Sequence, residues 1–222
     1  MYLRYIHASS LLLYDRMTSI LVIARYNEDI NWIREFPDKI IYNKGSRETI
    51  PEDLQSYSIE LPNVGREAHT ILHYIIENYD TLPDVVVFSQ GRYDDQISLD
   101  TLRNLFLIDK NTYSSNFTDS RSWGIYLSSY NFRIKEFKGT IIPTKYNESY
   151  GQWYERIFRE PFPHDKYQVY CGAFFSVGSN IIRKYPKEYY INIMENGDLK
   201  ESSAPEAAHF MERTWSKMFT PY

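Results

Sequence analysis

The stretch Ser19-Ile20-Leu21-Val22-Ile23-Ala24 decides how the chain is expected to fold. It is a short, continuous apolar run, which is typical of a strand buried on both faces of a sheet. A polar loop, residues 25–29, follows it, and a short helix carrying Trp32, Ile33 and Phe36 comes next. The sequence therefore predicts a buried strand whose carboxyl end opens into a polar loop.

The same alternation of strand and helix continues along the chain. Lys39-Ile40-Ile41-Tyr42 predicts a second strand, and Pro62-Asn63-Val64-Gly65 opens a helix for which Asn63 is a possible cap. Pro83 bars its continuation, and Val85-Val86-Val87-Phe88 predicts a third buried strand. The helix carries an apolar stripe at i, i+3, i+4 and i+7 spacing: Ala68, Ile71, Leu72, Ile75, Ile76 and Tyr79. This order favours a mostly parallel sheet flanked by helices.

The rest of the chain completes an expected single α/β domain of residues 18–222, preceded by an N-terminal extension, residues 1–17. Residues 46–61 are expected to form a polar connection. The patterns further predict helices near 98–107, 152–158, 179–195 and 204–218, an edge strand over 139–142 and a strand over 169–177.

Composition bounds the function. The 222 residues have a net charge of −4, so no basic field recruits nucleic acid. No apolar run is long enough for a membrane-spanning helix, and the single cysteine, Cys171, favours a reducing, cytoplasmic setting. The 21 tyrosines suit sugars and nucleobases, although aromatic residues also simply fill cores.

Three polar loops follow predicted parallel strands: residues 25–29, 43–45 and 89–95. Ligands bind at the carboxyl edge of such sheets, so these loops are expected to share a site. The helix that opens at residues 62–67 could bind phosphate at its N-terminus, with Arg66 as a bidentate partner. Ordinary capping, with a solvated Arg66, is the other interpretation.

Two further segments carry candidate catalytic chemistry. Asp94 and Asp95 could hold Mg²⁺ or Mn²⁺ against a diphosphate, although an Asp-Asp turn is usually solvated. In the last helix, Ser203 and Glu206 form a predicted capping box, which gives Glu206 a structural role. His209 and Glu212, one turn apart on the polar face, could supply a metal or phosphate contact and a general base, or could be a solvated face. His69 and His73 are interpreted as surface residues.

The residues that carry a family resemblance are several short segments. They are Ile20 to Glu28, Tyr42-Asn43-Lys44-Gly45, Pro62 to Glu67, Leu82-Pro83-Asp84, Val87 to Gly91 and His209 to Trp215. The first segment is similar to the first strand and loop of GT-A glycosyltransferases. The combination resembles a family of small domains found in large DNA viruses, fungi and bacteria, which looks related to virus-encoded glycosyltransferases. The resemblance spans about residues 18–219.

This resemblance implies a GT-A fold, a nucleotide-sugar donor, a glycan or glycoprotein acceptor, a divalent cation (Mn²⁺ or Mg²⁺) and, for a viral protein, the host-cell cytoplasm. It implies that Asp94 and Asp95 stand in for the acidic metal motif. The pattern of the last helix adds His209 as a further candidate ligand and Glu212 as the candidate base, with Asp95 as the next candidate base. Ser89-Gln90-Gly91 occupies the place where that acidic motif directly follows the strand in many such enzymes. The implied donor ligands are Ala24, Arg25, Tyr26, Asn27, Asn43, Lys44, Asn63, Arg66, Gln90 and Gly91.

The sequence therefore predicts transfer of a hexose or deoxyhexose from a UDP- or dTDP-sugar to a glycan hydroxyl. A non-catalytic nucleotide- or carbohydrate-binding module of the same fold is the alternative. A sugar-phosphate nucleotidyltransferase is disfavoured, because such enzymes need a glycine-rich, arginine-containing loop after the first strand and residues 24–30 contain no glycine. A kinase-type P-loop is also absent from the sequence.

Overall fold

The structure is a computed structural model that describes residues 17–115, 125–127, 129–134, 141–163, 168–170 and 172–220. Its strands are β1 (Ser19–Arg25), β2 (Lys39–Asn43), β3 (Ser58–Glu60), β4 (Val85–Gln90), β5 (Tyr113–Ser115), β6 (Ile125–Leu127), β7 (Gln168–Tyr170) and β8 (Phe175–Gly178). Its α-helices are α1 (Arg66–Asn78), α2 (Leu99–Asn104), α3 (Tyr150–Phe158), α4 (Ser179–Ile182), α5 (Lys187–Asn196) and α6 (Glu206–Phe219).

The main sheet has the strand order β3-β2-β1-β4-β8-β5, and β6 pairs with β7 in a separate ribbon. Strands β3, β2, β1 and β4 are parallel, whereas β8 runs antiparallel to both β4 and β5. Ala24 near the end of β1 lies opposite Tyr42 on β2 and Gln90 on β4, so the carboxyl ends of three strands are level. The order reverses between β1 and β4, which is where such sheets open a crevice. The predicted α/β class is confirmed.

Both faces of this sheet are buried, as the continuous apolar runs predict. Val22 and Val86 point into one cluster with the apolar face of α1, and Leu21, Ile23 and Val87 point into a second cluster on the other face. The first cluster also contains residues of α3, α5 and α6. Alternate residues of one strand therefore anchor helices on opposite sides, and the strand ends are held rigidly.

Several predicted elements differ in detail. The strand predicted over residues 169–177 is two strands in different sheets, because Gly172 adopts a φ of 116° between them. The helix predicted over residues 179–195 is interrupted before Pro186, whose ring cannot continue a helix. The polar connection contains two 3₁₀ turns and β3. The short helix that carries Trp32 is a 3₁₀ helix, Asn31–Glu35.

Three expectations concern residues outside the described part of the chain. The N-terminal extension lies there except for Met17, and so do Cys171 and the first half of the edge strand predicted over 139–142. The second half of that predicted edge strand, residues 141–142, forms one isolated β-bridge, between Ile142 and Pro205. Among the helices that the structure describes, none is long and apolar enough to cross a membrane.

Candidate functional site

Arg25, at the end of β1, is buried and forms hydrogen bonds to the loop after β1, the end of β2 and the segment that follows β2. Its side chain is 1% exposed. Nη1 donates to Asn43 Oδ1 at 2.7 Å, Nη2 to Thr49 Oγ1 at 2.8 Å and Nε to the Glu28 carbonyl at 3.0 Å. Arg25 and Asn43, both predicted as nucleotide ligands, are hydrogen-bonded to each other, and Arg25 also lines the crevice described below.

The loop after β2 is locked against the loop after β1. A Cβ on Gly45 would lie 1.5 Å from the Tyr26 carbonyl oxygen, so only glycine permits this approach. The Asn27 side-chain oxygen accepts from the Ser46 backbone N–H at 2.9 Å. Asn27 is therefore a bridge between the two loops, while Tyr26 remains 51% exposed above them.

Lys44 reaches from the same loop to the entry of α1. Its ammonium donates to the Val64 carbonyl at 2.6 Å and also to the Arg66 carbonyl. Gly65 and Arg66 both have left-handed backbone conformations, with φ of 61° and 48°. Burial lowers the pKa of Lys44 to about 8, and the charge of Glu67 opposes this shift. Lys44 thus stabilises a turn in which Arg66, a non-glycine residue, has a left-handed backbone conformation that is unfavourable in energy.

The predicted Asn63 cap is wrong. Helix α1 begins at Arg66, and its N-cap is Gly65, which has no side chain to accept a hydrogen bond from the first turn. The Gly65 backbone N–H instead donates to the Ser202 carbonyl at 2.8 Å, which brings the segment before α6 against this turn. Asn63 is exposed and faces the crevice described next.

A crevice of about 130 Å³ opens where these loops meet. Six of the ten predicted donor ligands line it, drawn from three loops that are far apart in sequence. Lys44 and Arg66 bring positive charge to the N-terminal end of α1, a combination that suits a phosphate group. Glu67 lies beside Arg66, with Nε and Oε2 3.4 Å apart. The lining residues are Ala24, Arg25, Tyr26, Glu28, Lys44, Asn63, Arg66, Glu67 and Ser203.

A larger cavity of about 520 Å³ lies on the β4 side of the same edge. Glu28 borders both spaces, and its carboxylate accepts the Tyr26 backbone N–H at 2.7 Å. Gly91 lies beneath that carboxylate, and a Cβ there would come within 2.6 Å of Glu28 Oε2. Gln90 accepts from Gln96 at 3.0 Å. The remaining lining residues are Asp29, Trp32, Arg92, Tyr93 and Asp94.

The predicted metal ligands are not gathered into one set. Asp94 is exposed and pairs with Arg92 at 2.9 Å, Asp95 is exposed, and His209 Nδ1 lies 3.7 Å from Glu212 Oε1 on α6. Within the described ranges, no three His, Cys, Asp or Glu side chains converge in a way that could hold a metal ion. The described residues therefore do not supply a complete protein cage for a cation.

Glu212 is electrostatically coupled to the crevice. Burial tends to raise its pKa, but His209 and the charges of Arg66 and Arg213 hold the pKa of Glu212 below its ordinary value. The Arg66 interaction links the predicted base on α6 to the predicted phosphate ligand on α1. The carboxylate is thus ionised at neutral pH, the form that a proton acceptor requires.

The predicted capping box at the start of α6 is wrong in its partners, although Glu206 is structural. The N-cap is Pro205, with no side-chain cap. Glu206 is 1% exposed, and both of its oxygens accept from Arg133 at 2.8 Å. Ser203 lies in the crevice instead. Since Glu206 and Ser216 are buried, the polar face of α6 is not a uniformly solvated surface.

His69 is not the surface residue that its pattern suggested. It is 5% exposed, its ring is parallel to that of His73, and its Nδ1 has no hydrogen-bond partner in the described structure. Burial, reinforced by the positive charge of Lys44, lowers the pKa of His69 to about 3. A neutral imidazole therefore lies below the turn that Lys44 holds.

Seven residues that border the two spaces were not among the predicted site residues: Glu28, Asp29, Trp32, Glu67, Arg92, Tyr93 and Ser203. Glu28 and Tyr93 lie in loops already singled out, so their position after a strand was a usable signal. Trp32 was assigned to a short helix and Ser203 to a helix cap, and neither local pattern indicates that the residue borders a cavity.

The strand order, the reversal at β1 and β4 and the crevice at that edge define a single Rossmann-like α/β domain. The chain belongs to the family described as "Protein of unknown function (DUF3431)", which matches residues 21–221. No curated protein and no solved structure matches the chain significantly.

Proposed function

We propose that this protein is a glycosyltransferase that moves a hexose or deoxyhexose from a UDP- or dTDP-sugar to a glycan hydroxyl. The observation that carries the proposal is the crevice, in which residues from three separate loops converge at the carboxyl edge of the sheet. Nothing in local sequence alone requires residues 24, 44 and 66 to meet. The single cysteine favours a cytoplasmic site of action.

The chemistry of the crevice supports a diphosphate ligand. Lys44 and Arg66 place two cationic side chains beside the first turn of a 13-residue helix, whose dipole also favours anions. Tyr26 offers a half-exposed aromatic ring at the rim, to which a nucleobase can bind by its face. A nucleoside diphosphate contains both an anionic and an aromatic part.

The surroundings of the crevice support transfer in addition to binding. Glu212 is held ionised beside Arg66 and is the proposed base that takes the proton of the acceptor hydroxyl. Asp95, at the β4 loop, is the second proposed base. An ionised carboxylate near the donor phosphates lets proton removal and departure of the nucleoside diphosphate occur at one place.

The proposal includes a divalent cation, Mn²⁺ or Mg²⁺, that binds together with the phosphates of the donor. Mg²⁺ commonly takes one or two protein carboxylates, with substrate phosphates and water completing its shell. Asp94 and Asp95, with His209, are the residues that would hold such an ion together with the donor phosphates, and Asp94 borders the larger cavity. Its chemistry would be to offset charge on the departing diphosphate.

A panel of nucleotide-sugars, incubated with the protein with and without Mn²⁺, tests the proposal. Release of nucleoside diphosphate from UDP- or dTDP-sugars, at a rate that depends on the protein, is the expected result. Arg66→Ala should reduce that rate, whereas Arg34→Ala, on an exposed ion pair with Asp53, should not. Turnover of no sugar nucleotide, even with mixed glycan acceptors, would contradict transfer.

A non-catalytic nucleotide- or carbohydrate-binding module is the second candidate. The observation that favours it is the lack, among the described residues, of three converging metal-ligand side chains. Such a module would bind UDP or a glycan and release nothing from any sugar nucleotide. The same panel, combined with a binding measurement, separates the two functions.

A further inference from the structure

The larger cavity has a composition different from that of the crevice. Three carboxylates, from Glu28, Asp29 and Asp94, face it against one guanidinium, from Arg92. The crevice, in contrast, is lined by three cationic residues, Arg25, Lys44 and Arg66, against two carboxylates, Glu28 and Glu67. Two neighbouring spaces that share Glu28 therefore differ in the charge they favour, and the larger one disfavours an anionic ligand.

Two aromatic rings give this cavity a fixed apolar wall. The ring centroids of Trp32 and Tyr93 lie 5.0 Å apart with their planes tilted by 60°. The Trp32 indole N–H donates to the Gly91 carbonyl at 2.9 Å, which fixes the ring across the β1 and β4 loops. The Tyr93 carbonyl accepts two backbone N–H groups, from Gln96 and Ile97, each at 2.9 Å. The Trp32 ring is thus fixed by its own hydrogen bond, and the Tyr93 ring packs against it from a hydrogen-bonded backbone turn.

The carboxylates beside the rings retain hydrogen-bonding capacity. One Asp29 oxygen accepts the Asn31 backbone N–H at 2.8 Å, and one Asp94 oxygen accepts from Arg92 at 2.9 Å. No described residue donates to the second oxygen of either side chain. Each can therefore accept a hydroxyl hydrogen from a ligand that lies against the rings.

We propose that the larger cavity is a binding subsite for a neutral pyranose, which lies against the rings of Trp32 and Tyr93 and donates its hydroxyls to Asp29 and Asp94. A pyranose combines an apolar C–H face with a rim of hydroxyls, which matches a wall of aromatic rings bordered by carboxylates. The role of this sugar as the acceptor rests on the proposed function, since Glu28 joins the subsite to the donor crevice. Saccharide binding itself does not depend on that function.

Saturation-transfer NMR and calorimetry with simple glycosides test the subsite in the absence of any donor. The probes are neutral methyl hexopyranosides, methyl glucuronide as the anionic counterpart and methyl glucosaminide as the cationic one. We expect at least one neutral glycoside to bind, and the glucuronide to bind about tenfold more weakly than its neutral counterpart because of the carboxylate excess. The same carboxylate excess should let the glucosaminide bind at least as tightly as its neutral counterpart. Equal or tighter binding of the glucuronide, weaker binding of the glucosaminide than of its neutral counterpart, or binding of no neutral probe overturns the proposal.

Variants locate the binding. Tyr93→Leu keeps apolar bulk without the ring and should weaken the neutral glycoside about tenfold. Tyr146→Ala, at a ring that is 61% exposed and outside the cavity, is the matched control and should bind normally. Asp29→Asn combined with Asp94→Asn removes two negative charges, so it should reduce the difference in affinity between the glucuronide and the neutral glycoside. Unchanged affinities in folded Tyr93→Leu and in the double variant overturn the subsite.

Parallel calorimetry with UDP keeps this proposal distinct from the proposed function. Tyr93→Leu should bind UDP as the unmodified protein does, since Tyr93 lies outside the crevice. Saccharide binding that needs Tyr93, in a protein that binds no nucleotide, supports the subsite while contradicting the transferase. UDP binding without any saccharide binding contradicts the proposed sugar subsite but remains consistent with a donor site in the crevice.

Discussion

The ammonium of Lys44 lies 2.6 Å from the carbonyl oxygen of Val64, so one side chain after β2 holds the turn that leads into α1. The contact determines where the first turn of α1 and the Arg66 side chain sit relative to the ends of β1 and β2. The donor site therefore depends on a buried cation that is hydrogen-bonded to backbone and whose charge is sensitive to pH.

Donor affinity should fall as the pH rises through about 8, because Lys44 loses its charge there. Stability should respond in the opposite sense. The folded-state pKa lies below the ordinary value of 10.5, so burying the charged form disfavours folding below about pH 8. That penalty is relieved as the pH rises from about 8 towards 10.5. UDP calorimetry and urea unfolding, measured across this window, check both directions.

Lys44→Arg is the control for this prediction, because a guanidinium stays charged throughout the same window. Its UDP affinity should show no step near pH 8, whatever its absolute value. An identical fall in the Lys44→Arg variant would assign the titration to another group.

Glu206→Ala should lower the free energy of unfolding by about 2–4 kcal/mol. Removal of one partner of a buried ion pair leaves the other charge uncompensated, and Arg133, with a side chain 35% exposed, moderates the loss through solvent screening. Asp53→Ala breaks the exposed pair with Arg34 and should cost much less than Glu206→Ala, because solvent screens both charges. Urea denaturation measures both, and losses of equal size would show that Arg133 and Glu206 are not an anchoring pair.

Glu212→Gln should reduce kcat by about 10²–10⁴-fold with little change in melting temperature, if Glu212 removes the acceptor proton. Because its pKa is held below the ordinary 4.5, the acid limb of the pH–rate profile should fall below that value. His209→Ala should weaken metal or donor binding more than the proton-transfer step. Near-normal kcat with a raised KM in Glu212→Gln would make this carboxylate a counter-ion of Arg66, and Asp95 would be the next base to test.

Asp94→Ala combined with Asp95→Ala should remove metal-dependent turnover and leave the fold intact. Both residues are exposed, where substitutions change stability by within about 0.5 kcal/mol. The matched control is the exposed pair Glu48→Gln with Glu52→Gln. Steady-state rates over a Mn²⁺ titration provide the measurement. Unchanged Mn²⁺ dependence in the Asp94 and Asp95 variant would place the ligands elsewhere, with Glu28 and Asp29 first.

The central part of the fold could be predicted because its signals are local. The apolar runs that became β1 and β4 and the stripe of α1 each identify one buried element without reference to the rest of the chain. The break at Gly172 could not be predicted, since a glycine within an apolar run gives no sign of its φ. Strand β3 was missed because it is only three residues long, with Ile59 as its single apolar residue, and its pairing with β2 leaves no pattern in the sequence.

The sequence predicted that residues of separate loops lie together at one edge of the sheet, and their roles in binding stay predictions. Residues after parallel strands must share an edge, so the meeting of Tyr26, Lys44 and Arg66 follows from topology. Whether a side chain faces a ligand or the protein depends on tertiary neighbours. Arg25 meets Asn43 and Thr49, and no pattern in the sequence announces that pairing.

Binding of UDP to the crevice is the most direct test of the central claim. A ligand that binds only the folded state stabilises it by about 2.7 kcal/mol at a concentration of 100 times its Kd, so UDP should raise the melting temperature, and more so with Mn²⁺. Arg66→Ala should lose most of that rise, since hydrogen bonds to charged groups contribute about 1.5–3 kcal/mol, whereas Arg34→Ala should keep it. No shift with any nucleoside diphosphate at millimolar concentration, or an equal shift in the Arg66→Ala variant, would contradict a donor site at this edge of the sheet.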